Sequence, residues 1–178
     1  MIKLYNTSLP NTIKVQGREF LIKTDFRYWL LFDEITRRPY RLKDISFLFV
    51  NEVPNCDFTQ ALLDFFKNPN STPRKSNKKS EDVLDYQEDG EFIYASFMNA
   101  YGIDLLDKHL TMHWHQFKAL VIGLPNGTIM SEIMSIRVWN PDNRKINDIY
   151  KEQKRIWSLP NNNTNKEEIL REQKEFFG

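Results

Sequence analysis

The stretch His109-Leu110-Thr111-Met112-His113-Trp114-His115 holds all three histidines of the chain within seven residues. Imidazole is a common metal ligand and the usual proton carrier near neutral pH. Zinc takes three or four protein ligands. On a continuous helix, at about 100° per residue, His109 and His113 stand roughly 40° apart and His115 points nearly opposite His113. At most two of the three then reach one ion. The metalloprotease pattern HExxH is incomplete as well, since Leu110, Thr111 and Met112 separate the first pair. Thr111 is a plausible helix cap, which leaves His109 off the helix. A metal-dependent enzyme using His109 and His113 is one reading. The spacing favours another, in which the histidines edge an aromatic core and no metal or cofactor is bound.

Other chemistry is thinly provided. Cys56 stands between Asn55 and Asp57, with no cation to lower its pKa. The acid pairs Glu81-Asp82 and Glu88-Asp89 adjoin a polar stretch, whereas general acids need a desolvated pocket. No Walker or GxGxxG motif is present. The cluster Arg74-Lys79 offers four cations to nucleic acid phosphates. It lacks interleaved aromatics for stacking on bases, and the acidic run 81–91 beside it offsets its field. A nucleic-acid-binding regulator is thus an alternative, with a solvated loop favoured.

The elements that must carry these residues are mostly helical. Ile13-Lys14-Val15 and Phe20-Leu21-Ile22-Lys23 alternate around Gln16-Gly17-Arg18-Glu19 and predict a β-hairpin. Thr24-Asp25 caps a segment with Phe26, Trp29, Leu30, Phe32 and Ile35 on one stripe, and Pro39 ends it. A short helix is expected over 43–50. Asp57 and Gln60 have capping-box spacing before Phe58, Ala61, Leu62, Phe65 and Phe66. Asp89 caps a helix that Gly102 stops. Thr111 caps the histidine helix, and Gly123 to Gly127 form a turn. Thr128 starts the next helix, where Arg137 can bind carbonyls at the helix end. A last firm helix spans Ile146 to Trp157. Residues 68–80 hold Pro69 and Pro73 and no apolar side chain, which reads as a flexible loop. The expected fold is mainly α, a compact multi-helix domain with a small N-terminal hairpin over 1–160. A charged tail follows over 161–178.

Composition agrees with that class. Apolar residues make up 40% of the 178, so a core can form, and thirteen Phe make it bulky. Six glycines argue against Gly-rich phosphate loops. A net charge of +1 gives no overall field for nucleic acid or membrane. With one cysteine no internal disulfide can form, which suits a reducing interior. Neither a signal peptide nor a run of about 20 apolar residues appears, so a cytoplasmic chain without membrane contact is expected. These features describe a protein that works by contact. Trp139, Trp157, Phe176 and Phe177 are the candidate partner-binding residues; both Trp suit the core equally well.

Several blocks, in order, carry a family resemblance. They are Leu9-Pro10 with the hairpin and Thr24-Asp25-Phe26-Arg27-Tyr28-Trp29; Ile93-Tyr94-Ala95-Ser96-Phe97 leading to Tyr101-Gly102-Ile103-Asp104-Leu105; His113-Trp114-His115-Gln116-Phe117 running to Gly123-Leu124-Pro125; Glu132-Ile133-Met134-Ser135-Ile136-Arg137; and Lys154-Arg155-Ile156-Trp157-Ser158-Leu159-Pro160. Together they resemble a tail assembly chaperone family of long-tailed bacteriophages of Gram-positive bacteria. The resemblance implies a non-enzymatic protein of the host cytoplasm. Its implied partners are the tape measure protein, a long helical apolar chain, and tail tube subunits, with possible self-association. It also implies short and frameshift-extended forms. His115 departs from the family, which often has Trp there, and the basic loop at 68–80 is a second departure.

Overall fold

Gln16 and Gly17 both take positive φ, 49° and 82°, and turn the chain within two residues. That conformation matches the twist of paired strands. In the computed structural model it joins β1 (Thr12–Val15) to β2 (Arg18–Leu21), with Ile13 opposite Phe20 and Val15 opposite Arg18. Arg18 and Glu19 are therefore strand residues, not part of the turn as expected. The structure describes residues 8–37, 45–67, 83–139 and 148–159. The loop at 68–80 and the tail at 161–178 lie outside them.

Ile13, Val15, Phe20 and Ile22 are buried. A lone hairpin is marginal in water, and this one is tied down. Lys23 N–H donates to the Leu48 carbonyl at 2.7 Å, and Val50 N–H donates to Leu21 at 3.1 Å. Of the helix expected over 43–50, the described residues 45–50 hold a single 3₁₀ turn, Ser46–Leu48. The backbone beyond it is taken by this strand-like pairing.

Six α-helices follow the hairpin among the described residues: α1 (Phe26–Arg37), α2 (Thr59–Lys67), α3 (Gly90–Tyr101), α4 (Trp114–Ile122), α5 (Ile129–Val138) and α6 (Asp148–Trp157). The fold is mainly α, as the periodicity predicts. Apolar residues at helical spacing bury one stripe of each of α1 to α5. Trp29, Phe32, Leu62, Phe97, Trp114 and Phe117 meet in one core. Trp29 stacks on Phe65 with centroids 4.6 Å apart, Phe66 on Trp114 at 5.0 Å, and Phe26 on Phe117 at 4.8 Å. Each such pair contributes about 0.5–1.5 kcal/mol beyond area burial. Both buried indoles find acceptors: Trp29 Nε1 donates to Lys23 O at 2.9 Å and Trp114 Nε1 to Phe66 O at 3.1 Å.

Helix ends follow the sequence in part. Asp25 caps α1 through the Arg27 N–H at 3.0 Å, and Asp57 receives the Thr59 N–H at 2.9 Å. Gln60 does not close a capping box; its amide bonds Asp64 one turn on. Gly102 stops α3 with φ of 64°, its N–H on the Met98 carbonyl. Thr128 precedes α5 but caps nothing. Its hydroxyl turns back to Pro125 O, and the buried Ser96 of α3 receives the Met130 N–H at 3.1 Å instead.

The last helix departs most from expectation. No residue of α6 is buried, and Ile149 and Ile156 are 65% and 60% exposed. It is held at its edges, by Trp157 against Phe92 and by Lys154 Nζ on the Trp139 carbonyl at 2.9 Å. No helix among the described residues is long and apolar enough to cross a membrane.

Candidate functional site

The histidines are fixed by the start of α4. That helix begins at Trp114, and the extended His113 before it is the cap: its Nδ1 accepts the His115 N–H at 3.0 Å. Thr111 is not the cap. Because His113 stands off the helix, the expected opposition of His113 and His115 fails, and their rings lie 5.1 Å apart. With Nδ1 accepting, His113 Nε2 carries the proton and donates to Pro10 O at 2.9 Å. His115 Nε2 likewise donates to Phe65 O at 3.0 Å, and its ring stacks on Phe65 at 4.5 Å. Its Nδ1 is buried without a partner. Burial holds the His115 pKa down to about 4 and lowers that of His113. Both are neutral near pH 7.

His109 sits on an exposed turn, its N–H on the Asp107 carboxylate. Among the described residues no group of three or more His, Cys, Asp or Glu could hold a metal ion. The bonds of His113 and His115 tie the start of α4 to Pro10 and to α2. Lys118 adds bonds to the carbonyls of Phe66 at 2.7 Å and Lys67 at 3.1 Å, where the dipole of α2 is negative. Burial draws the Lys118 pKa to about 8. The first turns of α4 are thus clamped to the last turn of α2.

A second polar centre is equally structural. Arg137 of α5 meets Asp89, at the start of α3, through two bonds of 2.6 and 2.8 Å. It also donates to Val83 O at 3.1 Å and to Trp157 O at 2.7 Å. The carbonyls it binds belong to other elements, not to its own helix end. Asp89 gives its carboxylate to this pair and to the Asp85 N–H, and so makes no side-chain cap on α3.

Among the described residues, an open groove of about 230 Å³ lies between α1 and α3. Phe26, Arg27 and Leu30 line it from α1, and Gly90, Ile93 and Tyr94 from α3. Leu105 and Leu106 form its lip, and Tyr86 and Phe117 also line it. Its i, i+4 spacing on α1 and i, i+3, i+4 spacing on α3 put these side chains on facing stripes. Arg27 fixes the lip by donating to the carbonyls of Leu105 at 3.1 Å, Asp107 at 2.7 Å and Leu110 at 2.9 Å. Asp104 stands beside Tyr94, a lining residue, and raises its pKa. Leu106 is 78% exposed. Small-ligand pockets run to about 300–1,000 Å³; this groove instead suits one or two apolar side chains.

Of the residues expected to bind a partner, Trp139 and Trp157 do not line this groove. Trp139 is half-buried and stacks on Tyr150 at 5.6 Å. Trp157 is half-buried with its ring edge-on to Phe92 at 5.4 Å. Phe176, Phe177 and the Arg74–Lys79 cluster lie outside the described residues. Cys56 is half-buried at the core edge. The one sequence sign of the groove is the apolar pair Leu105-Leu106 inside an acidic turn.

Comparison with known proteins gives one finding of identity. The model of a protein family described as Bacteriophage Gp15 protein matches residues 5–159. No curated protein and no solved structure matches the chain.

Proposed function

The chain belongs to the bacteriophage Gp15 protein family, and on that premise we propose that it is a tail assembly chaperone. It binds the tape measure protein in the host cytoplasm, keeps that long helical chain soluble, and helps recruit tail tube subunits. Copies of the chain associate along the same partner. It acts by contact and turns over no substrate.

The observation that carries this reading is the family match, which spans the hairpin and the six helices of the described residues. Membership supports a phage structural or assembly role. The order of motif blocks, from Leu9-Pro10 to Leu159-Pro160, supports the finer reading. The groove adds a physical means, since an amphipathic helix binds by laying its apolar stripe into such a groove.

Co-expression tests it. A phage tape measure protein is produced with and without the chain, and the soluble fraction is compared. The reading requires more soluble partner and a complex that survives gel filtration. An unchanged soluble fraction, with the chain itself well expressed, overturns it.

A further inference from the structure

At the lip of the α1–α3 groove Leu106 is apolar and exposed, yet its surroundings are acidic. Leu106 stands 78% exposed between Asp104 and Asp107, which are themselves exposed, and Glu91 follows the lining residue Gly90. Asp104 and Asp107 spend one carboxylate oxygen each on local N–H groups, at 2.9 Å to Leu106 and 2.9 Å to His109. Their charge stays at the surface. Two cations stand nearby. Arg27 lines the groove itself; its charge is offset by Asp25, 3.5 Å away, and other N–H groups of its guanidinium are taken by three carbonyls. Lys108, exposed, follows Asp107 in the same turn. The balance around the lip is negative.

We propose that this groove is the anchor site for a Leu, Met or Phe side chain on an amphipathic helix of a partner protein, and that lysine or arginine flanks that side chain. Shape calls for one or two apolar side chains. Charge selects a basic helix over an acidic one, because opposed signs steer and orient docking. Burying the Leu106 side chain against the incoming residue removes apolar surface from water on both partners. Arg27 holds the lip in place before binding, so little ordering is lost on contact. This inference rests on the chaperone reading and names the surface that serves it.

Two synthetic helical peptides test it, each with one leucine stripe, one flanked by lysine and the other by glutamate. Binding to the full chain is followed by fluorescence anisotropy. The lysine peptide binds saturably and at least tenfold more tightly than the glutamate peptide. Leu106→Asp weakens it at least tenfold without changing the circular dichroism spectrum. Gly90→Leu does the same by filling the groove, since nothing lies within 4 Å of a Cβ added there. Ile122→Asp, 76% exposed and outside the groove, leaves binding unchanged. Equal binding of both peptides, or full binding by Leu106→Asp and Gly90→Leu, overturns the proposal. Co-expression separates the two levels. If Leu106→Asp still solubilises the tape measure protein, the groove is refuted and the chaperone reading stands; if the unaltered chain solubilises nothing, that reading fails first.

Discussion

Asp89 and Arg137 lie 48 residues apart and meet as a buried, two-bond ion pair, their side chains 1% and 6% exposed. Around it Arg137 gathers Val83, the start of α3 and the end of α6. A charge stranded in such a site is costly, whereas an apolar pair of similar volume is tolerated. Arg137→Met alone is expected to lower stability by about 3–5 kcal/mol. Adding Asp89→Leu recovers much of that loss. Urea denaturation of both variants checks it. A single variant within about 1 kcal/mol of the unaltered chain contradicts a central role for the pair.

The histidine corner makes stability depend on pH. His115 stays neutral in the folded chain down to about pH 4, but in the unfolded chain it takes a proton near pH 6.5. Between those values the unfolded state binds more protons, so stability falls as pH drops. The lowered pKa of His113 acts in the same direction. The His115 part amounts to roughly 3 kcal/mol at most. His115→Phe, which keeps a ring on Phe65, should flatten the profile between about pH 6.5 and 4. Denaturation midpoints across that range measure it; parallel profiles for the two proteins contradict the assignment.

What the sequence shows of this fold is what repeats locally. The stripe Phe58, Leu62, Phe65 is legible because helical spacing alone defines it, and Gly102 because a left-handed stop favours glycine. The start of α4 is not. Residue type points to the hydroxyl of Thr111, while the chain uses an imidazole, so every angle counted along the histidines is displaced. Ser96 capping α5 across the core is equally hidden, since only the packed helices bring it to Met130. The groove is assembled from four separated segments, near residues 26–30, 86–94, 105–106 and 117, and no window of sequence contains it.

Two glycines should respond oppositely to alanine. Gly102 holds φ of 64°, a conformation that costs an L side chain about 1–2 kcal/mol. Gly90 is not in that region and has open space where a Cβ would stand. Gly102→Ala is expected to lose about 1 kcal/mol or more, and Gly90→Ala to gain up to about 1 kcal/mol. Thermal melts of the two variants decide it. Equal shifts would show that the αL stop of α3 carries no strain of its own.

The Ser96 hydroxyl gives the sharpest test of how α5 is held. It is 1% exposed and receives the Met130 N–H. Ser96→Ala leaves that donor buried and unmet, at about 1–3 kcal/mol. Ser96→Thr keeps an acceptor but adds a methyl to a closed space, so it also destabilises, by about 1–3 kcal/mol from overpacking. Thr128→Ser retains the bond to Pro125 and should lose less than either. Amide hydrogen exchange separates these cases: in Ser96→Ala, protection falls first at Met130 and the opening turn of α5. Protection there equal to that of the unaltered chain would mean the helix start is satisfied by another group.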